Sequence, residues 1–114
     1  MYIEPIKRIK KAITIVLKAT KAVCYECGNG LSLNRKGSTE NKFRSRCQTL
    51  TNIINQSSID WDDIDEDNVD EFVEEIEEIG NDMKIMANPN SWEEVVEMQL
   101  NDAETIVKKF TYYN

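Results

Sequence analysis

Apolar residues recur at three- and four-residue intervals along four stretches of this 114-residue chain, and clear breakers separate the stretches. That period belongs to the α-helix, and the two-residue alternation of a half-buried strand is not sustained anywhere. In the first stretch Ile6, Ile9, Ile13, Val16, Leu17, Thr20, Cys24 and Cys27 form one stripe, with Lys7, Lys10, Lys11, Lys18 and Lys21 on the other side. Pro5 suits the first turn, where its missing N–H costs nothing. The glycines of VCYECGNG, Gly28 and Gly30, are expected to stop this helix through positive φ.

Phe43, Cys47, Leu50 and Ile54 mark a second stripe, capped by Ser38 or Thr39. A third holds Val69, Phe72, Val73, Ile76, Ile79, Met83 and Met86, capped by Asp67. Gly80 weakens that helix by about 1 kcal/mol relative to alanine and invites a bend. Asn88-Pro89-Asn90 then breaks the chain. Ser91-Trp92-Glu93-Glu94 has the form of a capping box, ahead of Val95, Val96, Leu100, Ala103, Val107 and Phe110.

Helices are therefore predicted over 5–27, 39–55, 68–86 and 92–110. Short connections point to an all-α fold, an antiparallel four-helix bundle in one domain spanning 1–114. A basic hairpin (1–55, with helical residues 5–55) packs on an acidic one (68–114, with helical residues 68–110). An acidic connector over 56–67 joins them, pinned to the core by Ile59, Trp61 and Ile64. A chain of this length buries a core without disulfides or metal. No apolar run approaches the ~20 residues of a membrane span. The opening MYIEPIKRIKKAITIVL puts charge ahead of apolar residues as a signal peptide does. Lys18 and Lys21 interrupt its continuation and no small-residue cleavage site follows, so export is not expected. Three cysteines, an odd number, fit a reducing compartment and place the protein in the cytoplasm, its own cell's or a host's.

Charge is divided sharply. Residues 1–50 carry eleven Lys and Arg against three Glu, whereas residues 51–114 carry three Lys against eighteen acids. The acidic array Asp62, Asp63, Asp65, Glu71, Glu74, Glu75, Glu78, Glu93, Glu97, Asp102 and Glu104 has two readings. It is a solvated face, or a surface that fills a basic or nucleic-acid-binding groove on another protein, where opposite charge steers the encounter. Trp61 is a candidate apolar anchor within it. Lys7, Lys10, Lys11, Arg44 and Arg46 form an alternative nucleic-acid-binding set, less favoured because the whole chain is acidic.

Cys24 and Cys27 raise the question of chemistry. A redox Cys-x-x-Cys needs a depressed thiol pKa, and a helix C-terminus disfavours a thiolate. Zinc would require Cys24, Cys27 and Cys47 plus a fourth ligand, and the chain has no histidine and no further cysteine. Core packing is the better reading. Asp63, Asp65, Asp67 and Glu74 occupy calcium-loop positions, but Asn68 stands where that loop needs glycine. No cofactor or metal is expected, and no membrane partner.

Without histidine, acid–base catalysis would fall to exposed carboxylates, and no nucleophile elbow or phosphate loop appears. The expectation is a non-enzymatic protein-binding module acting on a basic partner. In size and charge the chain resembles small acidic inhibitors, immunity proteins and phage proteins that mimic DNA, without residue correspondences. The alternatives are an assembly subunit joined head to tail by charge, and a weak nucleic-acid-binding module.

Overall fold

In the computed structural model, which describes residues 3–28 and 38–114, the chain forms four helices. They are α1 (Pro5–Cys27), α2 (Ser38–Gln56), α3 (Glu66–Met86) and α4 (Trp92–Tyr113), with no strand among the described residues. The all-α bundle read from apolar periodicity is the fold. The arrangement of the helices was not legible from local pattern. α1 shares its widest contact with α3, and α2 lies against α1 and α4 but not α3. Arg8 meets Asp70, Ile15 meets Gly80 and Thr20 meets Met83, so α1 and α3 run parallel. Phe43 meets Trp92, Lys42 meets Glu97 and Arg46 meets Asn101, so α2 and α4 run parallel too. Within each hairpin the helices are antiparallel, as Phe72 with Phe110 and Gln99 with Met86 show for α3 and α4.

Since α2 and α3 occupy opposite corners, the connector between them must cross the end of the bundle. Ile59 is buried there, and Trp61 and Ile64 pack half-buried against the core. Asp60 accepts the Asp62 N–H at 3.1 Å and holds the turn. Trp61 is thus committed to packing, and the connector is docked.

α1 buries more than its predicted stripe. Ala12, Ala19 and Val23 are sealed along with Ile9, Ile13, Val16, Thr20 and Cys24, because α1 touches all three other helices. Alanine faces let helices approach closely, which is why they sit there. Thr20 is fully buried, and its hydroxyl donates to the Val16 carbonyl at 2.9 Å, satisfying itself within the helix. Gly80 is buried rather than a bend. A Cβ there would stand 3.1 Å from Ile15 Cγ2, so its missing side chain sets the closeness of α1 and α3 while α3 runs unbroken.

The helix ends depart from expectation in three places. Gly28 has φ of −93°, so it ends α1 without left-handed backbone; its N–H bonds Cys24 at 3.0 Å as one more helical turn does. Gly30 lies outside the described residues. Asp65, not Asp67, caps α3 by accepting the Asp67 N–H at 2.9 Å, which starts that helix two residues early. Ser91 stands at the N-cap of α4 but makes no side-chain cap bond, so the capping box is not formed. Met86, placed inward by spacing, is 47% exposed at the end of α3. It follows that Asp65→Ala should cost about 1 kcal/mol in chemical denaturation. Ser91→Ala should cost less than about 0.5 kcal/mol, as for a surface position.

Candidate functional site

Placing α1 and α2 along one edge and α3 and α4 along the other turns the division of charge in sequence into two faces of the bundle. The seams between them are tied by Arg8–Asp70, by Lys42–Glu97 at 3.3 Å and by the Arg46 guanidinium donating to Asn101. These pairs are exposed, and such pairs contribute about 0–1 kcal/mol each. Of the α3 and α4 carboxylates, only Asp70, Glu97 and Glu104 have a cationic partner among the described residues, Glu104 through Lys108 at 3.3 Å. Internal balance therefore accounts for a minority of the acids.

Five of the eleven unpaired acids of α3 and α4, Glu71, Glu75, Glu78, Asp82 and Asp102, line the furrow between those helices. Its central stretch, about 470 Å³, is lined by Glu75, Glu78 and Asp82 of α3 and by Asp102 of α4. Ile79 and Ile106 also line it, with Gln99 and Thr105. Glu75, Ile106 and Lys109 also border a second hollow toward Glu71, Phe72, Phe110 and Tyr113, so the two form one continuous groove. The helical reason is plain. Glu71, Glu75, Glu78 and Asp82 follow at four, three and four residues, which stacks them on one side of α3. Lys109 is the one cation along the groove among the described residues.

The acids named from sequence divide into three groups. Glu71, Glu75, Glu78 and Asp102 line the groove. Glu97 and Glu104 are paired with lysines, and Asp65 is occupied as a cap. Asp62, Asp63, Glu74 and Glu93 are exposed and do not line it. Asp82 and Gln99 were missed. Asp82 continues the four-three-four spacing and could have been found that way. Gln99 offered no signal, since a glutamine on an apolar stripe is read as a boundary residue.

The basic face has less structure of its own. A hollow of about 260 Å³ between α1 and α2 has Ile13, Leu17 and Cys47 within it and Lys21 and Arg44 beside them. Lys10, Lys11 and Arg44 are exposed, while Lys7 pairs with Glu4 at 3.8 Å and Arg46 with Asn101.

Cys24 and Cys47 are buried and Cys27 is half-buried, and none of the three is in a disulfide. They are not brought into one group that could hold a metal ion, and neither are the connector carboxylates, among the described residues. Burial pushes the Cys47 thiol up, against smaller downward pulls from its bond to Thr20 and from Arg46 and Lys21. An acid whose folded value is raised above the ordinary 9.0 stabilises the fold fully below pH 9.0. That stability is lost as pH rises through the folded value. In the native protein at pH 8, Cys27 should therefore react with a disulfide reagent while Cys47 stays protected. Peptide mapping of the labelled sites checks this, and alkaline pH should release Cys47.

Comparison with protein-family models, curated proteins and solved structures finds no match. No helix among the described residues is long and apolar enough to cross a membrane.

Proposed function

We propose that the protein is a non-enzymatic binding module whose acidic α3–α4 face engages a basic protein, in the manner of an inhibitor or immunity-type protein. The observation that carries this reading is the row of unpaired carboxylates Glu71, Glu75, Glu78, Asp82 and Asp102 along one groove, away from the seam ion pairs. A row of negative charge on a rigid helical face attracts a surface that itself binds nucleic acid, so mimicry of a phosphate backbone belongs to the same proposal, as does a phage-encoded anti-defence role. Cysteines outside any disulfide fit a cytoplasmic setting.

The test is affinity capture from the source cells with two baits, the native protein and a Glu75→Lys, Glu78→Lys, Asp82→Lys variant of unchanged helicity. A basic protein held by the first bait and lost from the second supports the proposal. Recovery of the same proteins by both baits contradicts it. The second reading, head-to-tail assembly, is favoured by the presence of a basic face on the same bundle. Recovery of the chain's own copies alone would select it.

A further inference from the structure

We infer that the hollow between α1 and α2 binds a small organic anion, a short apolar body carrying a carboxylate or a phosphate, whose charge Lys21 and Arg44 hold. The inference goes beyond the proposed function and is independent of it. The hollow lies on the basic edge, and the acidic edge remains the surface toward the protein partner.

Charge is the first of three observations that meet there. Lys21 reaches the hollow from α1 and Arg44 from α2, and neither has an acidic partner among the described residues. No carboxylate lines it, in a chain with 21 acids against 14 cations, whereas acids line both hollows along α3 and α4. Burial raises the Cys47 thiol, but Lys21 is among the groups that pull it back down, so the positive field extends to the floor. Arg44 can offer two parallel N–H donors to a carboxylate or phosphate, and Lys21 adds a point charge.

Thr51 is the second. A threonine inside a helix commonly returns its hydroxyl to a main-chain carbonyl. Thr14, Thr20, Thr49, Thr105 and Thr111 all do so, at 2.9–3.0 Å. Thr51 is the exception among the described threonines: it is half-buried, lines the hollow, and makes no hydrogen bond with another described residue. Its O–H is available to a bound oxygen.

Shape is the third. Half-buried Leu17 gives the hollow its apolar side, and the core residues Ile13 and Cys47 close it beneath. Its volume, about 260 Å³, falls just under the ~300–1,000 Å³ of small-molecule pockets, so the occupant is small. A metal cation would meet like charge there. Nucleic acid would run instead along the exposed cations outside the hollow, Lys10 and Lys11, and gain nothing from a closed floor.

The probes are hexanoate and phenyl phosphate, with 1-hexanol and inorganic phosphate as controls that keep only the body or only the charge. Two-dimensional amide NMR of the native protein should show saturable shifts at Leu17, Lys21, Arg44, Cys47 and Thr51 with at least one of the two probes. Which probe binds identifies the head group. The controls should bind at least about tenfold more weakly, as expected for loss of a charge-assisted bond or of the apolar contact. Lys21→Gln with Arg44→Gln should weaken the binding probe at least about tenfold, and Thr51→Val about threefold. Lys10→Gln with Lys11→Gln should leave it within about twofold, because exposed charges away from the hollow are screened. All these positions are exposed or half-buried, and unchanged amide spectra away from the hollow will show that each variant keeps the fold.

No saturable shift with either probe below about 10 mM would overturn the inference. So would inorganic phosphate binding as tightly as the organic anions, which would reduce the site to charge attraction. Equal binding of 1-hexanol would reduce it to an apolar dent. Equal loss from the Lys10 and Lys11 substitutions would spread the attraction over the whole basic edge, as for a polyanion, and would also overturn it.

Discussion

Gly80→Leu should lower the unfolding free energy by about 3 kcal/mol, toward the upper end of what overpacking a core costs. A Cβ at this position already lies 3.1 Å from Ile15 Cγ2 and 3.5 Å from the Ile15 carbonyl oxygen. The methyl group can yield by a rotamer adjustment, but the carbonyl belongs to the backbone of α1. A leucine must therefore push apart the two helices that share the largest contact of the bundle. Gly80→Ala separates the two effects. It adds about 1 kcal/mol of helix propensity and asks only the Ile15 methyl to move, so it should lie within about 1 kcal/mol of the native protein. Urea denaturation of the two variants checks both values. A leucine variant as stable as the native protein would show that α1 and α3 do not approach as closely as this packing has them.

Much of the fold was legible because helix period, proline and charge act locally. Pro5 and Cys27 bound α1 where spacing put them, and the α4 apolar stripe from Trp92 to Phe110 is buried throughout. What was not legible depends on neighbours in space. Ala12, Ala19 and Val23 fall outside a single stripe and are buried because α1 is enclosed by three helices. Gly80 looks like a weak point in α3 until Ile15 is placed against it. Ser91 and Glu94 have capping spacing, yet Ser91, with φ of −136° and ψ of 10°, makes no side-chain cap bond.

The acidic site was legible as composition and not as geometry. Counting acids could not tell Glu97, held by Lys42 across a seam, from Glu78, which lines the groove with no cation assigned to it. It could not show that Asp82 and Gln99 complete the groove that Glu75 and Asp102 line.

The second large effect follows from that distinction. Against the captured basic partner, Glu75→Lys, Glu78→Lys and Asp82→Lys together should weaken binding by about 100-fold, near 2.8 kcal/mol. Glu93→Lys with Glu97→Lys should weaken it by less than about fivefold. Glu97 is already engaged by Lys42, and Glu93 stands outside the groove. Binding by the native protein should also fall steeply with salt, since exposed charges are screened beyond about 8 Å at physiological ionic strength.

The central claim is that the acidic edge of the bundle, and not the basic edge, is the working surface. Isothermal titration of the captured partner into two charge-reversed proteins tests it most directly. One carries the groove substitutions Glu75→Lys, Glu78→Lys and Asp82→Lys, and the other carries Lys7→Glu, Lys10→Glu and Lys11→Glu on α1. The account predicts that the first loses about 100-fold in affinity while the second stays within about twofold of the native protein. Loss in the α1 variant with full affinity retained in the groove variant would contradict it.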